Sequence, residues 1–450
     1  MDGVYDQVHD LPRHWKRSKL GDAMEVIRGA SPRPKGDPKY FGGCIPWIMI
    51  SDVTREKGKY LSQTRDHVTE EGAKKSRFLK AGTLILSNSG TVCVPKVLAV
   101  DGCIHDGFVA FPEIPEQFDI FYLYYFFEHI RPRVIHVHRQ GITQVNLNTN
   151  IVKNIELPAP PRHEQQDIVA EIERQFSRLD EAVASLKRTK GNLKRYKASV
   201  LKAAVEGKLT EDWRKQHPNV ERAGKLLERI LAERRAKYGR TKDGFLAAEG
   251  DAPAEPPDGW AICSIDQIAE CLDSKRVPVN KAERTKRSGS VPYYGANGQV
   301  GVIDDYIFDE PLVLVVEDET FTGRTQAFSY MIRGKSWVNN HAHVLRATSA
   351  ITNSYLNYGL AHYPFTPRTT GSTGRRKLTQ RGLMTAPFLL PPLVEQEQIV
   401  TEVERRLSVI DELEATIEAN LNRADRLRQS ILSQAFAGNL VCVNANREGR

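Results

Sequence analysis

The sequence lacks the cysteine patterns that form metal centres or disulfide frameworks. It has only six cysteines in 450 residues, with no Cys-x-x-Cys pair and no His/Cys spacing suited to zinc. Long apolar runs are also absent, because the longest, from Ile120 to Phe127, is much too short to cross a bilayer. The acidic, polar start is unlike a signal peptide. We therefore expect a soluble cytoplasmic protein with buried free thiols and no membrane partner.

Motifs for nucleotide or methyl-group chemistry are missing as well. The segment Arg333–Ser336 has the Gly-Lys-Ser of a phosphate-binding loop but lacks its earlier glycine. The Asn-Pro-Pro-Tyr type motif of amino-methyltransferases is absent, and the Asn-rich segment 146–150 is no substitute. These absences predict a chain without catalytic residues of its own.

Two further patterns could suggest a metal-dependent nuclease. The acids Glu317, Asp318 and Glu319 follow an apolar strand, but no suitably placed lysine follows them, and acids at a strand end usually face solvent. The pairs at 136/138 and 341/343 each put two histidines on one strand face without a third ligand. We expect structural histidines, or a base contact by His341, and no bound metal.

Composition narrows the class of partner only slightly. The chain has 64 Lys and Arg against 56 Asp and Glu, a formal net charge of +8, with 40% hydrophobic residues. Its length suits about three domains with real cores. The basic balance favours an anionic partner such as nucleic acid, although solubility alone also explains it.

The most informative feature is an internal repeat. The phrase Pro-Pro-x-x-Glu-Gln begins at Pro160 and again at Pro391, and the match continues without a gap to Leu209 and Leu440. Each copy follows a longer block that opens on Leu-Pro-x-x-Trp15 or Pro-Pro-x-x-Trp260, and these blocks differ through most of their length. The repeat predicts one scaffold that carries two dissimilar heads.

Apolar residues in each copy recur with the 3.5-residue spacing of a coiled coil. The predicted seam comprises Val169, Ile172, Phe176, Leu179, Val183, Leu186 and Leu193 in the first copy and Val400, Val403, Leu407, Ile410, Ile417, Leu421 and Ile431 in the second. Breaks at Lys190 and Glu414 fall where the other copy is apolar, which favours mutual pairing. Two separate amphipathic helices, each packed on its own head, are the alternative.

Antiparallel pairing would place the heads at opposite ends of a rod with pseudo-two-fold symmetry. A helix from about residue 163 to residue 205 would be roughly 60 Å long at ~1.5 Å per residue. At ~3.4 Å per base pair, such a rod spans at most about 18 base pairs of DNA. This length would act as a ruler between two recognised segments.

The heads are predicted to be strand-rich, with strands over residues 45–52, 83–90, 291–298, 312–316 and 337–343. Small polar residues at strand ends suit contacts with base edges and phosphates, although ordinary loops share this composition. The strand-end candidates are Ser87, Asn88, Ser89, Tyr294, Asn297, Asn339, Asn340 and His341.

A polar loop also precedes each repeated helix. It supplies the candidates Gln140, Thr143 and Gln144 in the first head and Arg368, Ser372, Thr373, Arg375, Arg376 and Lys377 in the second. Glycines in the second loop allow close approach to a phosphate, and its consecutive cations would release counterions. A solvated connector is the alternative.

In these motifs the chain resembles the specificity subunit of type I restriction-modification systems. The repeated helices, the Trp15 and Trp260 openings, and the segments 293–298 and 337–342 carry the resemblance. It implies an α+β fold with two mixed α/β target recognition domains and two long antiparallel coiled-coil helices. It also implies that each domain reads one half of a bipartite, asymmetric DNA site.

The resemblance further implies a non-catalytic subunit with partners that carry the cofactors. Two modification subunits would bring S-adenosylmethionine and methylate adenine, and two restriction subunits would use ATP and Mg. The expected domains are a first recognition domain (1–160), a central helix (161–209), a helical extension with a Pro-rich linker (210–255), a second recognition domain (256–391), a distal helix (392–440) and a tail (441–450). A self-contained DNA nuclease or methyltransferase, or a coiled-coil protein-binding adaptor, are the other readings.

Overall fold

The computed structural model describes residues 11–139, 147–238, 244–252, 254–319, 321, 324, 326–371 and 376–441. The chain divides into two compact units, residues 1–187 with 418–450 and residues 188–417.

Within the described ranges, no helix is long and apolar enough to span a membrane. Among the described cysteines, Cys93, Cys103 and Cys263 are buried free thiols, whereas Cys44 is exposed, so the expectation that all of them are buried was wrong for Cys44.

The first unit contains one head, defined here as its elements between residues 16 and 159. Its strands are Lys16–Lys19, Ile27–Arg28, Phe41–Ile48, Tyr60–Leu61, Asp66–Val68, Arg77–Leu79, Leu84–Ser87, Pro95–Leu98, Gly102–Ile104, Phe108–Phe111 and Glu156–Ala159. Its helices are Leu20–Ala23, Ile50–Arg55, Glu70–Lys74, Ile120–Arg139 and Thr149–Lys153.

The second unit contains the other head, defined as its elements between residues 261 and 390. Its strands are Ala261–Ser264, Ala269–Cys271, Val291–Gly295, Gly298–Ile303, Phe308–Asp309, Leu312–Val316, Asp318–Glu319, Ser329–Ile332, Lys335–Val338, Ala342–Ala347, Thr369–Thr370, Arg376–Leu378 and Pro387–Leu390. Its α-helices are Ile265–Ile268, Lys281–Lys286, Asn353–Ala361 and Gln380–Met384, and short 3-10 turns lie at Asp273–Lys275 and Thr366–Arg368. Helices Glu211–Gln216 and Ala223–Tyr238 precede this head.

The two heads share one strand topology despite their dissimilar sequences. Each has a sheet whose four matching strands follow the order 27–28, 108–111, 84–87, 95–98 in the first head and 269–271, 342–347, 312–316, 329–332 in the second. Each also has a second sheet, ordered 66–68, 41–48, 102–104, 77–79 and 298–303, 291–295, 335–338, 308–309. In this second sheet the two central strands are parallel in both heads, with Trp47 opposite Cys103 and Tyr293 opposite Trp337. The same layout therefore supports different loops.

Both ends of each head lie side by side. Strand Lys16–Lys19 pairs antiparallel with Glu156–Ala159, and Ala261–Ser264 pairs in the same way with Pro387–Leu390. The chain thus enters and leaves each head through one two-stranded ribbon, directly before a long helix.

The repeated segments form two helices of 44 residues, Arg162–Val205 and Leu393–Phe436. In the first unit, Arg428 pairs with Asp180 and its guanidinium lies 4.3 Å from the ring centroid of Phe176. In the second unit, Lys197 lies 2.9 Å from Asp411. In each unit the start of one helix is beside the end of the other, so the helices pair antiparallel, as predicted.

Burial along the seam is uneven. The buried seam residues are Val169, Ile172, Phe176, Val403, Ile410, Ile417 and Ile431, whereas Leu179, Val183, Leu186, Leu193, Val400, Leu407 and Leu421 are half-buried. Residues near the heads also pack against head side chains, while the others have only one partner helix to cover them. Lys190 is exposed and Glu414 is half-buried.

Phe436 anchors the second long helix to the first head. Its fully buried ring lies 5.1 Å from Tyr122, 5.5 Å from Phe126 and 5.2 Å from His129, between centroids. We expect Phe436→Ala to lower the free energy of unfolding of this unit by about 3–5 kcal/mol, because it leaves a cavity among these rings. Urea denaturation measures the loss. The control Leu427→Ala, on the same helix but 48% exposed, should change stability far less, and equal losses would contradict this assignment.

Candidate nucleic-acid interface

In the second head, a tight turn gathers several predicted contact residues. Residues 339–341 connect strands Lys335–Val338 and Ala342–Ala347, so the single strand predicted over 337–343 was wrong. The backbone N–H of Asn339 donates to the Tyr294 carbonyl at 3.0 Å, and its side-chain oxygen accepts from the His341 N–H at 2.8 Å. Asn340 is exposed at the tip of this turn.

The neighbouring hairpin brings Asn297 and Tyr294 into the same region. The guanidinium of Arg324 donates to the side-chain oxygen of Asn297 at 2.6 Å. The Tyr294 ring packs on Tyr330, whose hydroxyl donates to the carbonyl of Gly295. Two turns, one cation and an aromatic ring thus lie side by side, which suits contacts with both base edges and phosphates.

The basic loop residues mostly hold their own head together. Arg368 donates to the carbonyls of Gly382 and Glu249, and Arg376 donates to the Thr369 hydroxyl at 2.6 Å. Lys377 is 59% exposed and lies 3.1 Å from Glu317. Of this predicted set, Lys377 is therefore the described cation best placed to meet a phosphate. The predicted contacts Ser372, Thr373 and Arg375 lie outside the described residues.

Beneath this surface lies a buried ionic network. The expectation that the acids at 317–319 face solvent was wrong for Glu317, whose side chain is buried and pairs with Arg276 at 2.5 Å and with Lys377. Burial would raise the pKa of Glu317, but hydrogen bonds from Arg276 and Lys377 and the charge of His343 outweigh it and lower the pKa. The network ties Lys377 to strand Ala342–Ala347, which follows the 339–341 turn.

One group in the described chain has metal-ligand character, Cys271 with Asp273 and His343. The His343 ring lies between Asp273, at 2.5 Å from Nδ1, and the Leu378 carbonyl, at 2.8 Å from Nε2. Burial and the Asp273 charge raise the pKa of the Cys271 thiol to about 12, so the sulfur stays protonated. With the Arg276 guanidinium also 3.2 Å from Asp273, these groups fit an ion-pair network better than a metal centre.

The first-head candidates lie mostly below the surface. Ser87 and Asn88 are fully buried, and Ser89 is half-buried. The Ser87 hydroxyl donates to the Thr91 carbonyl and accepts from the Val94 N–H, so it shapes the turn that follows its strand. The Asn88 side-chain oxygen has no hydrogen-bond partner among the described residues.

The loop that carries Gln140, Thr143 and Gln144 lies outside the described residues. The chain returns at Leu147, whose N–H donates to the Asn88 carbonyl at 2.9 Å. Leu147 itself is therefore held beside Asn88.

The first head has an equivalent of the 339–341 turn that its sequence did not reveal. Residues 105–107 connect strands Gly102–Ile104 and Phe108–Phe111, which match Lys335–Val338 and Ala342–Ala347 in sheet position. The turn reads His-Asp-Gly. In the sequence, residues 105–107 are a short polar run between two apolar strands, and this pattern predicts a turn but not a binding site.

The repeated Glu and Gln of the scaffold fasten each head to its helix. Glu164 accepts from the Trp15 indole at 2.9 Å and contacts His14 at 2.8 Å. Glu395 accepts from the Trp260 indole at 2.9 Å and pairs with Arg214 at 3.0 Å. This contact explains why each head opens on the same Pro-x-x-Trp phrase.

The repeated glutamine caps a helix of the head. The Gln165 side-chain oxygen accepts from the Asp119 N–H at 2.8 Å, and that of Gln396 accepts from the Thr352 N–H at 2.9 Å. Their amide nitrogens donate to carbonyls within the junction, including those of Pro160 and Pro391. Each Glu and Gln pair thus positions its head through contacts that do not involve the 105–107 or 339–341 turns.

We expect Glu395→Gln to destabilise the second unit by about 3–5 kcal/mol. Glu395 is fully buried, and its loss as a carboxylate leaves the Arg214 guanidinium, only 19% exposed, without a counter-charge. Urea denaturation measures the change. Glu397→Gln is the matched control, because Glu397 is exposed on the same helical turn. Similar stabilities for the two variants would contradict a structural role for this carboxylate.

A family model described as "type I restriction modification DNA specificity domain" matches residues 12–194 and 257–423, most of the chain. The chain belongs to this family. The two matches each cover a head and much of its helix, so this chain contains two copies of the specificity domain.

Several specificity subunits resemble this member of the family. The EcoDI specificity subunit of Escherichia coli is 23% identical over 451 residues, which cover 96% of this chain and 90% of that subunit. A putative specificity subunit of Haemophilus influenzae, S.HindORF215P, is 33% identical over 136 residues, 30% of this chain and 34% of its own. The chain thus spans nearly the whole EcoDI subunit but only about a third of the second relative.

Two solved structures have a similar fold. One, from a study of complex assembly and conformational transition of the type I R-M system, has a TM-score of 0.65 and 16% identity, and covers 96% of this chain and all of its own. The HsdS subunit from Thermoanaerobacter tengcongensis has a TM-score of 0.53 and 16% identity, and covers 95% and 98% of the two chains. These matches establish the α+β architecture of two heads and long helices.

Proposed function

We propose that this chain is the DNA specificity subunit of a type I restriction-modification complex. The observation that carries the proposal is the pair of heads with one strand topology and different turns, each fixed by the same Trp–Glu contact to a repeated helix. Two heads with the same strand topology can bind DNA in the same way, and their different turns can contact different bases. Each head would read one half of an asymmetric, bipartite DNA site.

The two repeated helices would dock two modification subunits, one on each copy. The apolar side chains of Val409 (50% exposed) and Leu413 (46% exposed) lie one turn apart on the second helix, on the flank of a seam whose residues Ile410 and Ile417 are buried. S-adenosylmethionine would be bound by the modification subunits, and ATP and Mg by two restriction subunits. This chain would supply no catalytic residue and would act in the cytoplasm.

The test is to co-express the chain with its modification subunit and to map methylated adenines across the host genome. We expect a split motif with two defined halves and an unread gap. Methylation within one continuous motif, or none from a purified complex that contains both subunits, would contradict the proposal. Methylation by the purified chain alone would favour a self-contained enzyme. An assembled complex without salt-dependent DNA binding would favour a protein-binding adaptor.

A further inference from the structure

The turn at residues 105–107 is stiffened by its own histidine. The Gly107 N–H donates to His105 Nδ1 at 2.9 Å, so the proton of the neutral ring is on Nε2, which lies 3.0 Å from Asp106 Oδ1 and donates to it. Burial and the charges of Arg33 and Lys35 outweigh the effect of Asp106 and lower the pKa of His105. The neutral tautomer therefore holds this geometry near pH 7.

A second segment clamps the same turn from the side. The Ser31 hydroxyl donates to Asp106 Oδ1 at 2.6 Å, and the Arg28 guanidinium donates to the Asp106 carbonyl at 3.0 Å. The Gly29 N–H donates to the Phe108 carbonyl, and a Cβ at Gly29 would lie 2.1 Å from the His105 carbonyl oxygen. Only glycine allows this approach. The Asp106 carboxylate is thus fixed in place before any ligand arrives, which lowers the entropic cost of binding.

The carboxylate keeps one oxygen available. Oδ1 takes the hydrogen bonds from Ser31 and His105, while no described residue donates to Oδ2, and the side chain is 35% exposed. Burial would raise the pKa of Asp106, but the Ser31 hydrogen bond and the charges of Arg28 and Arg33 outweigh it and lower the pKa. The turn therefore presents a fixed, ionised hydrogen-bond acceptor.

The charged residues near Asp106 indicate which group of DNA its carboxylate would contact. Phosphates would repel a carboxylate, but Arg28, Arg33 and Lys35 lie close enough to act on Asp106 or His105, and their charges would offset that repulsion. The turn holds the same sheet position as the 339–341 turn of the second head. On a base edge, an ionised carboxylate can only accept, and the donors in the major groove are the exocyclic amino groups of cytosine and adenine.

We infer that Asp106 reads an exocyclic amino group, of cytosine or adenine, in the half-site bound by the first head. The inference rests on the proposed function and assigns one residue and one hydrogen-bond type to recognition. The inference applies only to the first head, because the matching turn of the second head has Asn340, which is uncharged, at its middle position.

The experiment compares Asp106→Ala and Asp106→Asn with the unaltered chain, each co-expressed with the modification subunit, by mapping methylated motifs. In the unaltered complex, one position of one half should require a base with an amino group, and the motif shows whether it is cytosine or adenine. In both variants the preference at that position should fall on the order of tenfold to a hundredfold. The other half should not change. The control Asp101→Asn alters an acid at the opposite end of the same strand, paired with Lys80, and should leave both halves intact.

An unchanged motif in the Asp106→Ala complex would overturn the inference while leaving the proposed function in place. Loss of all methylation in both variants would assign Asp106 to folding and would also overturn it. Failure of the unaltered complex to methylate a split motif would instead contradict the proposed function itself. These outcomes are distinguishable because the unaltered complex and the Asp101→Asn control are assayed in parallel.

Discussion

A chain whose first head is replaced by that of another specificity subunit should methylate a site in which only one half has changed. The expected effect is large, because several mismatched base pairs at ~1–3 kcal/mol each should reduce methylation of the original site by a thousandfold or more. Mapping methylated adenines before and after the exchange of residues 11–160 measures both halves at once.

The structure indicates how this exchange should be built. Both ends of the head lie in one ribbon, with Lys16 opposite Ala159, so the head can be removed there without cutting a core strand. The scaffold also contacts the head through Tyr122, whose ring packs on Phe436 and whose hydroxyl donates to the Pro158 carbonyl. A donor head must therefore supply an aromatic residue at this position, as the second head does with Tyr355, whose hydroxyl donates to the Leu389 carbonyl.

A donor head with alanine in place of Tyr122 is the matched control, because it should lose stability rather than change specificity. A change in both halves after a single exchange would contradict the assignment of one half to each head. Retention of the original motif would show that residues 11–160 do not read DNA.

The scaffold was predictable from the sequence because its signals are local and repeated. A 3.5-residue pattern over several heptads determines a paired helix, and a predicted start near residue 163 compares with Arg162 in the structure. The antiparallel direction came from the family resemblance, because a head before each helix fits either direction of pairing. The recurring Trp, Glu and Gln were visible as a pattern, but their mutual hydrogen bonds depend on residues about 150 positions apart, as with Trp15 and Glu164.

The proposed DNA-contacting turns were much harder to predict from the sequence. Polarity at a strand end does not distinguish an exposed turn, such as Asn340, from a buried structural residue, such as Asn88. Only the sheet order shows that residues 105–107 match 339–341, since the two turns share no sequence pattern. Glu317 was misjudged for a similar reason, because its partner Arg276 comes from a segment 41 positions earlier in the chain.

A chain with one extra heptad in each long helix should recognise the same two half-sites with a longer gap between them. Seven residues add about 10 Å of helix at ~1.5 Å per residue, equivalent to about three base pairs at ~3.4 Å each. Methylation at the original spacing should fall by at least a hundredfold, because two linked readers lose their joint affinity when their separation no longer matches the site. Methylation mapping gives the gap directly.

The insertions must lie opposite each other, because the helices pair antiparallel. Asp180 and Arg428 face each other across the seam, so one heptad belongs directly after Asp180 and the other directly before Arg428. Whole heptads return the apolar positions to the same face, whereas four inserted residues per helix put the seam out of phase and should cost stability. That four-residue insertion is the control. A gap of unchanged length in a stable heptad variant would mean that something other than these helices sets the separation of the half-sites.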